Sequence, residues 1–174
     1  MRWIWIDRIL ELEHARRCVA IKNVSLAEEM VHDHFPAAGN RPATPVMPNT
    51  LIIEGMAQTA GILVGHAHDF TEKVVLAKIS KACFHAIAGP GFGLRFEARI
   101  DRIDQAGAST SGNVQLLDPA TGEDTPLAEV DLLFSHIDMN LSGLDFPEHN
   151  FVFTSDRFRD LMHQSGFAVP PDRQ

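Results

Sequence analysis

Cysteine is scarce, and the chain has little means of stapling itself covalently. Cys18 and Cys83 are the two cysteines in 174 residues, they form no CxxC spacing, and no secretory signal precedes them. A reducing cytoplasm is therefore the expected setting. Long apolar runs are missing as well: the longest, Leu51 to Val64, is broken by Glu54, Gln58 and Thr59 and falls short of the roughly 20 residues that a membrane-spanning helix requires. No membrane span is expected. Positive charge is in deficit, with 15 Lys and Arg against 23 Asp and Glu and a formal net charge of -8. That balance argues against nucleic acid as a partner, because affinity there comes mostly from cations on phosphates. Lys78, Lys81, Arg95, Arg99 and Arg102 do fall in one stretch. A solvated strand face is the simpler reading of them, and a docking patch for an acidic partner is the alternative.

What is present is a core: 45% of the residues are hydrophobic, enough at this length for one domain built without disulfides or metal. Apolar and polar residues alternate at period two over Trp3 to Glu13 and again over Cys18 to Val24, which predicts two antiparallel strands joined near His14 and Ala15. Ser25 and Glu28 have capping-box spacing, so a short helical turn is expected over Leu26 to Met30. A loop rich in Pro, Ala, Gly and Asn follows, from Pro36 to Pro48.

From Asn49 or Thr50 to about His66 the pattern is helical, and apolar residues cover nearly every face, as in a buried helix. Its Gly55, Gly61 and Gly65 weaken helix propensity and predict close approach of a sheet. Val74 to Ala86, Phe92 to Ile103, Ala108 to Leu117 and Leu127 to Ile137 then read as strands, separated by turn residues such as Gly89-Pro90-Gly91 and Asp118-Pro119. Strands in succession without helices between them imply an antiparallel sheet, hence an α+β fold wrapped around one long central helix. The domain is expected to span residues 1–138. Residues 139–174 form an extension, irregular from Asn140 to Asn150 and then helical over Ser155 to Gln164, packing on the same domain.

The chemistry-bearing residues gather around the start of the central helix. His34 precedes the loop, and a histidine accepts protons near neutrality. Glu54 is a carboxyl inside an apolar helix, where burial favours the protonated form and the nearby helix N-terminus opposes it. Asn49 and Thr50 stand at the N-terminus itself, where unsatisfied N–H groups can polarise a carbonyl. Gln58 lies four residues after Glu54 on the same face and is placed to hold its carboxyl. Taken singly, His34 beside Phe35 and Pro36 could cap a turn, and Glu54 could be neutralised by a buried cation. A competing constellation is metal binding by the His32/His34 and His66/His68 pairs, but such pairs face one way only on an extended strand. Solvated histidines are the simpler reading, and no metal site is expected.

The string His34-Phe35-Pro36, a loop, then Met47-Pro48-Asn49-Thr50-Leu51-Ile52-Ile53-Glu54-Gly55-Met56-Ala57-Gln58 resembles the active-site region of the 3-hydroxyacyl-carrier-protein dehydratases of fatty-acid synthesis, whose motif reads HFPG, a short loop, MPGVLIIEAMAQ. The likeness extends over roughly Ile6 to His136. It implies a hot-dog fold and dehydration of a 3-hydroxyacyl thioester on acyl carrier protein or coenzyme A, with no cofactor. It implies His34 as base and Glu54 as acid, with Asn49, Thr50, Met47, Gln58 and Phe35 at the substrate, and a homodimer in which the acid reaches the histidine of the other subunit. Two departures stand out. Asn49 replaces the glycine whose N–H is the carbonyl donor in the family, and the segment between His34 and Glu54 is lengthened by Ala37 to Thr44, with Ala37 in place of the glycine after HFP. A noncatalytic acyl-thioester binding protein and an acyl thioesterase are the alternatives on the same fold.

Overall fold

The computed structural model describes residues 3–136 and 152–168. Its strands are β1 (Arg8–Glu13), β2 (Arg17–Asn23), β3 (Val74–Phe84), β4 (Gly93–Asp104), β5 (Gly107–Leu117) and β6 (Asp124–His136). Its helices are α1 (Glu29–His32), α2 (Asn49–Ala67) and α3 (Asp156–Gln164). The strands form one six-stranded sheet in the order β1-β2-β4-β5-β6-β3, and every pairing is antiparallel. The sheet curls around α2, as expected for a hot-dog fold.

Alternation places the core. Leu94, Phe96 and Ala98 on β4, Val114 and Leu116 on β5, and Val130, Leu132 and Phe134 on β6 point inward and are buried, together with Ile52, Met56, Ile62 and Leu63 of α2. Contact between helix and sheet is close where glycine allows it. A Cβ added to Gly55 would lie 2.5 Å from Cζ of the fully buried Phe96. The outward face of β1, β2 and β4 is a lattice of ions instead: Arg17 pairs with Glu11 and with Glu97 at 3.0 Å, and Arg99 reaches Glu97 at 2.7 Å.

The enclosure of α2 is less complete than its composition suggests. Ile62, Leu63 and Val64 are wholly buried, but Ile53, Glu54 and Ala57 are half-exposed and Thr50 is exposed, which at helical spacing is a single stripe left open by the chain's own sheet. β3, at one end of the sheet, is open too. All but its first and last residues are exposed, including Val75, Leu76 and Ile79. The opposite end is covered: the C-terminal helix packs against β1, and Ile9 N–H donates to Ser165 Oγ at 2.9 Å. Phe158 of α3 joins Phe70 and Phe153 in an aromatic cluster over the C-terminal end of α2.

Several expected boundaries move. The first strand starts at Arg8 rather than Trp3, because the Trp5 N–H is taken by Gln58 Oε1 at 2.8 Å and the ladder to β2 opens only at Arg8 opposite Ile21. The short helix lies later, over Glu29–His32, because Ser25 Oγ accepts from Ala27 N–H in a preceding turn while Glu28 reaches back to Ser25 N–H. β6 begins at Asp124 and includes Pro126, which is tolerated because this stretch runs past the end of β3 and pairs with β5 alone, opposite Gln115 beside a register shift. The expected irregular segment from Asn140 to Asn150 and the domain boundary after residue 138 lie outside the described residues. Four of the five cations in the basic stretch are paired: Lys81 meets Glu129, Arg95 and Arg99 lie 3.5 and 2.7 Å from Glu97, and Arg102 lies 2.8 Å from Asp104.

Candidate active site

The site is built where the loop after α1 meets the start of α2. Met47 N–H donates to Ala88 O at 2.8 Å and its side chain is buried, which anchors the end of the loop to the segment before β4. Pro48 is the N-cap, with extended backbone and no side-chain cap. Helical hydrogen bonding begins with Leu51 N–H to Pro48 O at 2.9 Å, so the N–H groups of Asn49 and Thr50 are the orphan donors at the positive end of the helix dipole. Both residues are exposed.

His34 is exposed, with its ring 4.4 Å from that of Phe35. It lies between two adjoining clefts. One, of about 310 Å³, is lined by His34, Phe35, Met47, Asn49, Thr50 and Ile87. The other, of about 550 Å³, adds Met30, Asp33 and Leu51. The sequence-predicted His34, Phe35, Met47, Asn49 and Thr50 therefore share one wall. Ile87, Met30 and Leu51 are additions that sequence reasoning missed; Ile87 in particular lies far along the chain, and its exposure as a large aliphatic residue is the signal.

Glu54 is held elsewhere. It lines neither cleft, and its Oε1 accepts from Gln58 Nε2 at 2.8 Å. Gln58 is buried and is itself fixed from the N-terminal segment, donating to Trp3 O at 3.1 Å and accepting from Trp5 N–H. One protomer thus brings the histidine to the helix N-terminus and places the carboxyl a turn further on, along the open stripe of α2.

The extra loop residues close on themselves. Ala38 and Arg41 exchange N–H···O bonds of 3.1 and 3.0 Å around Gly39, which takes a positive φ of 58° at the turn, and Thr44 N–H donates to Phe35 O at 3.0 Å. The added length is a small hairpin standing in solvent. Its base holds the two ends of the loop together, so His34 and Met47 keep their places on the wall.

The histidine pairs do not converge as pairs. His66 packs edge-on to His14 at 5.4 Å, whereas His68 faces His136. Burial, reinforced by His14, pushes His66 below the ordinary imidazole range.

The family model of the FabA-like domain matches residues 3–117. The chain belongs to this family. It is 41% identical over 102 residues to the 3-hydroxyacyl-[acyl-carrier-protein] dehydratase FabZ of Caldanaerobacter subterraneus, covering 58% of this chain and 68% of that protein. It is 34% identical over 137 residues to the FabZ of Thermomicrobium roseum, covering 78% and 84%. Among solved structures, the dehydratase heterocomplex ApeI:P from Xenorhabdus doucetiae is similar with a TM-score of 0.57, 16% identity, and coverage of 76% of this chain and 82% of that one. An acyl-CoA hydrolase variant from Staphylococcus aureus in complex with coenzyme A has a TM-score of 0.56, 16% identity, and coverage of 82% and 75%. These structural likenesses establish the hot-dog fold and nothing finer. No described helix is long and apolar enough to cross a membrane.

Proposed function

We propose that this FabA-like chain dehydrates 3-hydroxyacyl thioesters, on acyl carrier protein or coenzyme A, to trans-2-enoyl thioesters. The observation that carries the proposal is the shared wall: His34, Met47, Asn49 and Thr50 line one cleft at the N-terminus of α2. The acyl carbonyl sits against the N–H groups of Asn49 and Thr50, which stabilise the enolate-like oxygen; one such donor is worth about 3 kcal/mol in the transition state. His34 removes a proton from C2, Glu54 protonates the hydroxyl leaving C3, and the products are water and the conjugated enoyl thioester. Gln58 positions the Glu54 carboxyl, and Phe35 and Met47 contact the acyl chain.

The reading requires a dimer, because His34 and Glu54 do not share a cleft within one chain. Two copies pairing through β3 place the open stripe of one α2 against its mate, and Glu54 then meets His34 of the other chain. The exposed Val75, Leu76 and Ile79 and the half-covered Ile53 and Ala57 support this arrangement. The expected compartment is the cytoplasm.

The test follows enoyl thioester absorbance with purified wild type, His34→Ala and Glu54→Gln on carrier-protein and coenzyme A substrates. Each substitution should lower kcat about 10²–10⁴-fold, the usual worth of a general acid or base. Release of free thiol without enoyl absorbance would assign a thioesterase instead. Ligand binding without turnover, unchanged in His34→Ala, would assign an acyl-thioester binding protein.

A further inference from the structure

Where α2 ends, at the opposite end from the cleft and roughly 28 Å away by helix rise, three metal-ligating side chains meet. His68 caps the helix, Glu72 lies in the bend before β3, and His136 closes β6 opposite Val74. One potential ligand atom from each lies within 4.8 Å of the others. Glu72 Oε2 is 2.7 Å from His136 Nδ1, Glu72 Oε1 is 3.7 Å from His68 Nδ1, and the two imidazole rings stand edge to face at 5.0 Å.

His136 is the unusual member. It follows Leu132 and Phe134 on the inward-facing register of β6 and is 3% exposed, yet neither ring nitrogen makes a hydrogen bond among the described residues. The Glu72 carboxylate oxygen stands 2.7 Å from Nδ1 as an ion-pair contact without a hydrogen bond. Two ligands of one ion approach each other in this way without bonding to one another. Buried polar nitrogens are almost always satisfied, and an ion is one standard reason when they are not.

We propose that His68, Glu72 and His136 bind a divalent transition ion of the zinc class. Two imidazoles and one carboxylate suit zinc, and ligand bonds near 2.1 Å in tetrahedral arrangement require donor atoms about 3.4 Å apart; the Glu72 oxygens lie 2.7 Å from His136 Nδ1 and 3.7 Å from His68 Nδ1, and one donor atom of each residue lies within 4.8 Å of the others. Three protein ligands leave a fourth position for water or a further group. His68 and Glu72 are about a third exposed, with side-chain values of 31% and 34%, so an ion can enter from solvent. The ion ties the end of the central helix to the end of β6 and has no part in the cleft chemistry, so this site stands or falls apart from the dehydratase reading.

The test uses the full chain, stripped with a chelator and titrated with Zn²⁺ against a chromophoric competitor while its melting temperature is followed. Wild type is expected to take up one equivalent per chain and to melt at a higher temperature when loaded. His68→Ala and Glu72→Gln, whose side chains are partly exposed, should fold, bind at least tenfold more weakly and lose the thermal shift. His14→Ala should retain the equivalent. Absence of stoichiometric uptake by wild type, or uptake undiminished in His68→Ala and Glu72→Gln, would overturn the proposal.

Discussion

Glu54 Oε1 accepts a hydrogen bond from Gln58 Nε2 at 2.8 Å, and the same amide of Gln58 also bonds Trp3 O and Trp5 N–H. The carboxyl is thereby oriented by a side chain that reports on the N-terminal segment. Gln58→Leu should cost about 2 kcal/mol, because it leaves the Trp5 N–H buried without its acceptor. Under the proposed activity it should also lower kcat more than it changes KM, as expected for a residue that orients the proposed acid. Chemical denaturation together with steady-state kinetics checks both, and a kcat unchanged in the folded variant would remove Gln58 from its positioning role.

Gly55 is required by Phe96. Alanine would strengthen the helix by about 1 kcal/mol, but its Cβ would overlap a fully buried ring at 2.5 Å. Overpacking of this kind costs about 1–3 kcal/mol. Gly55→Ala should therefore destabilise the protein on balance, and Gly55→Ala combined with Phe96→Leu should recover part of the loss; both are read from urea midpoints.

The hairpin tip carries no core. Excising Ala38 to Arg41 should change stability by no more than about 0.5 kcal/mol, since loop length is cheap and the segment is exposed. Under the proposed activity it should leave turnover intact and alter the preferred acyl chain length. Profiles of kcat/KM against chain length decide the matter, and an unchanged profile would deny the loop a role in selection.

The two thiols should behave oppositely. Burial pushes the Cys18 thiol up to about 12, while Cys83 stands exposed on β3. An alkylating reagent at neutral pH should spare Cys18 in the native protein and modify both residues after denaturation, as counted by intact mass.

Acid should loosen the ionic lattice. Burial favours protonation of Glu97, but the hydrogen bonds and charges of Arg17 and Arg99 outweigh it and hold the carboxyl below the usual range. A depressed carboxylate contributes stability that is fully present above its unfolded value, about 4.3, and is lost as pH falls through the folded value. Glu97→Gln should cost about 1 kcal/mol at neutral pH, and the difference from wild type should shrink in that acidic window.

How much of this was legible depends on how local the determinant is. The central helix, its apolar faces and the Gln58–Glu54 pairing follow from spacing within one element, and the resemblance of the motif placed His34 beside the helix start. β1 starts later than Trp3 because a side chain 53 residues away takes the Trp5 N–H out of the ladder, which no local pattern shows. The hairpin at Gly39 was visible only as loop. His136 could not be associated with His68, since their meeting depends on the register of β3 against β6, through which His136 faces Val74.

The two ends of the sheet are unequal, and this inequality limits how copies can associate. At β1 a serine hydroxyl from the C-terminal extension occupies the Ile9 N–H and a helix lies alongside; at β3 a long row of backbone groups remains on offer. An edge of that kind recruits strands. The described residues offer one such edge, so under the proposed pairing a mate consumes it and leaves two stoppered ends, and growth by strand addition ends at a pair rather than continuing into a ribbon. Under the proposed pairing the C-terminal helix serves as a terminator, and removing α3 should turn a self-limiting pair into an assembly prone to precipitate, as read from light scattering.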